Sequence, residues 1–155
     1  MSKKPIIVFE GIDCSGKSLH SNNVAYYLKK KGIKFIKIRE PGGNKNSEKI
    51  RKLILNDKSN FNKITDLLLY FAARNENIEN IIKQNVGKKI ILIDRFIDST
   101  VAYQHYGMNI DINFINTVNQ FLIKKIKVNF TFLHLVSKKN IQLRLSTRKK
   151  LNRYD

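Results

Sequence analysis

Two patterns of apolar and polar positions alternate along this chain. Short apolar runs at residues 6–9, 35–38, 90–93 and 130–135 are rich in isoleucine and phenylalanine and read as strands. Strands that are apolar on both faces are buried on both faces. Helical spacing fills the intervals, over residues 17–31, 47–55, 64–84, 113–126 and 139–148, with Val24, Tyr27 and Leu28 on one face of the first helix. Gly32 and Gly87 stand where the first helix and the long helix would stop. Buried strands separated by helices predict an α/β fold, a parallel sheet sandwiched by helices, in one domain over residues 1–155. Such a sheet binds ligands beyond the carboxyl ends of its strands. The polar motifs of this chain begin where each apolar run stops.

The first run leads into Gly11-Ile12-Asp13-Cys14-Ser15-Gly16-Lys17-Ser18, which has the form G-x-x-x-x-G-K-S. Between a strand and a helix this is a phosphate-binding loop, and the fold class is a P-loop NTPase-type sheet. Glycines let the backbone wrap an anion, and the helix start adds partial positive charge. Lys17 reaches the outer phosphates of a nucleoside triphosphate, and the Ser18 hydroxyl is a ligand for Mg²⁺.

Three further motifs follow the later strands and the long helix. Arg39-Glu40-Pro41-Gly42-Gly43 places a turn and an arginine at the second strand's tip, facing the same crevice. The third strand ends in Ile93-Asp94-Arg95-Phe96. Asp94 suits a position near Mg²⁺, and Arg95 can grip a phosphate through its planar fork. Ser99, Thr100, Tyr103 and Gln104 follow on a predicted helix, with Ser99 and Tyr103 one turn apart and Thr100 and Gln104 likewise. On the long helix Phe71 and Arg74 share a face. The ring can stack on a base beside an arginine that bonds its edge, or simply fill the core. The tail carries Arg144, Arg148 and Arg153, either a solvated face or a lid over the triphosphate.

Composition adds exclusions. No run of about 18 apolar residues appears, and Met1-Ser2-Lys3-Lys4 leads straight into a strand, so the expected location is cytoplasmic. Cys14 is the one cysteine, and His20, His105 and His134 lack ligand spacing. The net charge of +18 would help gather phosphate-bearing substrates. Its lysines are spread along the chain, as an AT-rich coding sequence tends to supply them, and nucleic acid is not expected as a partner.

Together these landmarks resemble thymidylate kinase of the bacterial type. The matching elements are Phe9-Glu10-Gly11-Ile12-Asp13, the Arg39–Gly43 turn, Tyr70-Phe71-Ala72-Ala73-Arg74, Asp94-Arg95-Phe96 and Ser99-Thr100-Val101-Ala102-Tyr103-Gln104. The resemblance implies transfer of the γ-phosphoryl group of ATP to dTMP, with Mg²⁺, in dTTP synthesis. It implies that Gly11, Ile12, Asp13, Cys14, Ser15, Gly16, Lys17 and Ser18 hold ATP, with Ser18 and Asp94 at the metal. Asp13 would lie between the nucleotides, and Arg39 and Arg95 would hold the acceptor phosphate. Phe71 would stack on thymine and Arg74 would address its oxygen edge. Thr100 and Gln104 would lie near the base, and Tyr103 would crowd the sugar 2′ position. Arg148 or Arg153 would be the lid cation, in a lid-like segment at about residues 144–155. A homodimer packed through helices is implied, as are a further strand and helices beyond the lid, which leave the domain incomplete. Cys14 and Leu19 depart from the glycine and threonine common in such loops. Another nucleoside or nucleotide kinase of the superfamily, or a non-catalytic nucleotide-binding fragment, remains an alternative.

Overall fold

The structure is a computed structural model and describes residues 4–124 and 126–147. Four strands form one parallel sheet in the order β2-β3-β1-β4. They are β1 (Ile6–Glu10), β2 (Phe35–Arg39), β3 (Ile90–Asp94) and β4 (Phe130–Leu133). Side chains alternate across the pleat. Ile6, Val8, Ile38, Ile91 and Ile93 therefore pack on one face, under Ile78, Ile82 and Phe96. Phe9 and Leu92 pack on the other, against Leu28 and its neighbours on α1 (Lys17–Lys30). Both faces are covered at the central strands β1 and β3, which is why those two read as unbroken apolar runs, whereas every residue of β4 is exposed.

Helix boundaries follow the caps. Asn44 accepts from the amides of Asn46 and Ser47 at 2.9 Å, so α2 (Lys45–Ile54) starts two residues before the apolar spacing alone indicates. Asn62 likewise caps α3 (Lys63–Asn77). The long helix does not stay α-helical. It passes through a π-helical stretch, Ile78–Ile82, before α4 (Lys83–Asn85). A second π-helical stretch, Val101–Tyr106, extends α5 (Ile97–Thr100). Then come α6 (Ile112–Ile123) and α7 (Lys138–Ser146). Gly32 and Gly87 do end their elements, with φ of +65° and +77°.

β4 is shorter than the apolar run predicts. Its neighbour among the described residues, β1, pairs with it up to Glu10↔Leu133 and then turns into the phosphate loop. Beyond that point the His134 amide still donates to the Glu10 carbonyl oxygen at 2.8 Å, and the ladder ends there because β1 has no further residue to offer. β4 forms one edge of the sheet, and Phe130, Phe132 and Leu133 are all more than half exposed there.

Candidate active site

The tips of β1, β2 and β3 on the carboxyl edge carry polar groups toward one crevice. β1 runs into the phosphate loop, where Gly11, Cys14 and Gly16 all have positive φ. A Cβ on Gly11 would lie 2.7 Å from the His134 carbonyl oxygen, so this position needs glycine for close approach as well as for its backbone angle. Cys14 adopts φ +59°, a conformation in which a side chain is disfavoured. Lys17 is buried and folds its Nζ back to the Ile12 carbonyl oxygen at 2.7 Å. Burial first, and then the Arg95 charge, pull its pKa below the ordinary lysine value. The Ser18 hydroxyl donates to Asp94 Oδ2 at 2.6 Å.

A cavity of about 520 Å³ opens in front of the loop. Cys14, Gly16, Lys17 and Ser18 line it from one side, and Arg39, Arg51, Arg95 and Arg144 from the others. Arg39 is held by Glu48 through bonds of 3.0 and 3.1 Å, and Glu48 also accepts from the Gly43 amide. Arg144, on α7, donates to the Cys14 carbonyl oxygen at 2.8 Å. Arg148 and Arg153 lie outside the described residues. Ser18, Asp94 and the cavity supply oxygen donors on one side and room for phosphate oxygens on the other. That set fits Mg²⁺, which is commonly held by one or two carboxylates plus substrate phosphates.

A narrower cleft adjoins the first. Its lining includes Tyr70, Arg74, Phe96, Thr100, Tyr103 and Gln104, and it shares Asp13, Glu40, Arg51 and Arg95 with the phosphate cavity. Arg95, at φ +67°, turns its guanidinium onto Asp13 Oδ1 at 2.9 Å, the Ser99 hydroxyl at 3.1 Å and the Tyr103 hydroxyl at 3.3 Å. The Tyr103 hydroxyl also donates to Asp13 Oδ2 at 2.9 Å. Burial works against the Asp13 charge. Arg95, the Tyr103 hydroxyl and Lys17 together outweigh it and hold the carboxyl below its usual value.

Arg74 is 2% exposed and spends four donor contacts inside the protein. Nε donates to Glu40 Oε2 at 2.7 Å and Nη1 to Asn119 Oδ1 at 2.6 Å. Nη2 donates to the Phe96 carbonyl and to the Thr100 hydroxyl. A guanidinium has five N–H groups, so these four bonds leave one N–H, on Nη1, of a residue that lines the cleft. Gln104 is 1% exposed, lines the same cleft, and its Nε2 has no partner among the described residues.

The predicted residues Asp13, Lys17, Ser18, Arg39, Asp94 and Arg95 thus meet at one site, and Arg74, Thr100, Tyr103 and Gln104 meet beside it. Phe71 does not join them. It is 4% exposed and packs with Leu67, Ile110 and Ile115. Tyr70 is the aromatic residue of this helix that lines the cleft. Residues three and four apart both share a helix face, so Tyr70 was as available a partner for Arg74 as Phe71 on spacing. Tyr70, Glu40, Arg51 and Glu10 were given no role by the sequence reading. Glu10 is 2% exposed and accepts from the Phe96 amide at 2.7 Å and the Ser99 hydroxyl at 2.5 Å, bracing the segment that carries Arg95. An isolated acidic residue after a strand carries no signal that it will turn inward.

A family model described as thymidylate kinase matches residues 9–155. The thymidylate kinase of Thermosipho africanus is 43% identical over 127 residues, which are 81% of this chain and 63% of that protein. That of Sulfurihydrogenibium sp. is 44% identical over 129 residues, 82% of this chain and 63% of that protein. The crystal structure of thymidylate kinase from Ehrlichia chaffeensis superposes with a TM-score of 0.82 at 37% identity, covering 93% of this chain and 79% of that one. The matched part of this chain spans less than two thirds of the length of the two curated relatives.

Proposed function

Because this chain belongs to the thymidylate kinase family, we propose that it transfers the γ-phosphoryl group of ATP to dTMP, giving dTDP in dTTP synthesis. The observation that carries this reading is the pair of adjoining cavities that share Asp13 and Arg95. One is walled by a phosphate loop. The other is walled by an aromatic ring, a buried arginine and a buried amide, which are groups suited to a nucleobase.

Each side chain then has a task. The loop amides and Lys17 hold the triphosphate, whose negative charge opposes the burial that lowers the Lys17 pKa. Ser18 and Asp94 hold Mg²⁺, which when bound neutralises charge on the β- and γ-phosphates. Arg39, Arg51 and Arg95 converge on the acceptor phosphate, and Asp13 orients Arg95 between the two nucleotides. Tyr70 stacks on thymine, while the remaining Arg74 N–H and the Gln104 amide bond its polar edge. Tyr103 sets the sugar preference. The acceptor phosphate is itself the nucleophile, so catalysis is alignment and charge neutralisation rather than covalent chemistry. Arg144, Arg148 and Arg153 are the candidates for the lid cation.

The test is product formation by the purified chain with ATP, Mg²⁺ and one acceptor at a time: dTMP, dUMP, dCMP, dGMP or thymidine. dTDP formed fastest from dTMP supports the proposal. A preference for unphosphorylated thymidine would remove the roles given to Arg39 and Arg95, and no ADP above background with any acceptor would reduce the site to nucleotide binding. A cytoplasmic homodimer packed through helices belongs to the same reading. Sedimentation equilibrium tests the dimer.

A further inference from the structure

The lysines look scattered along the sequence, but the topology gathers many of them. All four strands are parallel, so their amino ends share one pole of the sheet. Lys4 precedes β1, Lys34 precedes β2, Lys88 and Lys89 precede β3, and Lys127 precedes β4. Lys31, after the last turn of α1, descends to the same pole. These ends are neighbours. The Ile90 amide donates to the Lys34 carbonyl oxygen at 3.1 Å, and Lys4 bridges to Gly87. Five of the six side chains are exposed, and Lys89 is half-buried.

Among the described residues, no carboxylate stands in the segment just before any strand. Glu10, Asp13, Glu40, Asp94 and Asp98 sit at or beyond the carboxyl ends of the strands, at the opposite pole. Glu79 is the acid nearest the basic end of the long helix, and Lys83 already pairs with it at 2.6 Å. Helix dipoles favour cations in last turns, which accounts for Lys29 and Lys30 at the end of α1. It does not account for lysines placed before strands, because a sheet carries only a small net dipole.

Aromatic rings are set among the cations. Tyr26 and Tyr27, one turn before the end of α1, are 72% and 57% exposed, and Lys31 Nζ lies 5.9 Å from the Tyr27 ring centroid. Phe130, at the start of β4, is 56% exposed. Cations before each strand, with exposed rings near the end of α1 and at the start of β4, match a chain of phosphates whose bases are free to stack. A duplex hides those base faces. We propose that this basic pole is a binding surface for single-stranded polynucleotide, at the far end of the strands from the nucleotide cavities and independent of them.

Binding is read by fluorescence anisotropy of the full chain with labelled 20-nucleotide single-stranded DNA, the matching RNA, the DNA duplex, and vesicles containing anionic lipid, across a salt series. The two single-stranded probes distinguish the sources. One variant carries Lys31→Gln, Lys34→Gln, Lys88→Gln and Lys127→Gln. A second carries Lys45→Gln, Lys49→Gln, Lys52→Gln and Lys58→Gln on and after α2. Each removes four charges from exposed positions, so general attraction falls equally in both. The pole variant is expected to lose at least about tenfold in affinity at 100 mM salt, with a log–log salt slope about 3 units shallower. The α2 variant should lose only that general attraction, clearly less than the pole variant loses. Tyr26→Ala should weaken single-strand binding and leave duplex binding unchanged. Equal losses in the two quadruple variants would show that net charge alone is responsible and overturn the proposal. So would binding to vesicles or duplex in preference to both single strands.

Discussion

Replacing Phe71 and Tyr70 with alanine, one at a time, separates core from cleft on a single turn of α3. Phe71 is 4% exposed and closes a cluster with Leu67, Ile110 and Ile115. Its truncation leaves a cavity among helices that cannot fully collapse, at a cost of about 3–5 kcal/mol. In a chain of 155 residues that lowers the melting temperature by about 6–20 °C. Tyr70 is only partly buried and lines the cleft. Its loss removes a stacking platform worth about 1–3 kcal/mol per base, or roughly a 5- to 150-fold weaker dTMP affinity. The ring matters more than the hydroxyl, so Tyr70→Phe should stay within a few-fold of the parent. Calorimetric titration of dTMP and thermal melting of the same preparations measure both quantities. ATP binding should be unchanged in Tyr70→Ala, because Tyr70 does not line the phosphate cavity. The reasoning fails if Tyr70→Ala binds dTMP normally while Phe71→Ala loses dTMP without losing stability.

Other substitutions address separate parts of the site. Arg74→Met strands the buried Glu40 carboxylate, so it should cost about 3–5 kcal/mol; Glu40→Gln added to it should recover part of the lost melting temperature. Ser18→Ala removes one metal ligand and should raise the Mg²⁺ concentration for half-maximal turnover by at least about tenfold, with dTMP affinity unchanged in the same titrations. The Asp13 carboxyl is held below its usual value. Its stabilising contribution is therefore complete above the unfolded value of about 4 and disappears as pH falls through the lower folded value; Asp13→Asn should lose less melting temperature than the parent between about pH 5 and 2. Arg148→Ala or Arg153→Ala should cut turnover and spare dTMP affinity; unchanged turnover in both would move the lid role to Arg144, which already touches the loop at Cys14.

What could be read from the sequence was whatever a local rule dictates. Strands buried on both faces announce themselves as apolar runs, and a glycine-rich turn between a strand and a helix needs no tertiary information to be recognised. Lys17, Ser18 and Asp94 were legible for that reason. The misplacement of Phe71 has the opposite origin. Tyr70 and Phe71 both satisfy the helical spacing to Arg74, and their order of polarity argues weakly for either. Which one enters the core depends on where Ile110 and Ile115 arrive, and those residues are about forty positions away. Glu40 and Glu10 were silent for a related reason. A carboxylate is expected to be solvated until a donor is placed beside it, and the donors come from Arg74, Phe96 and Ser99 on other elements.

The lysines make the same point in reverse. Along the chain they show no pattern beyond a compositional bias. A parallel sheet, however, has a polarity that the sequence does not display. Each return crossover delivers the chain to the same edge, so residues just before successive strands become neighbours although tens of positions separate them. The same crossovers deliver Asp13, Arg39 and Asp94 to the opposite edge. Charge is therefore sorted by position relative to a strand rather than by position in the chain. Fixed acids and arginines collect where a polyphosphate must be gripped in one geometry. Exposed lysines also stand just before each strand, where geometry is undemanding. If that sorting reflects composition alone, the lysines of α2 and those of the basic pole must be interchangeable in every binding measurement, which is the outcome the paired quadruple variants are built to detect.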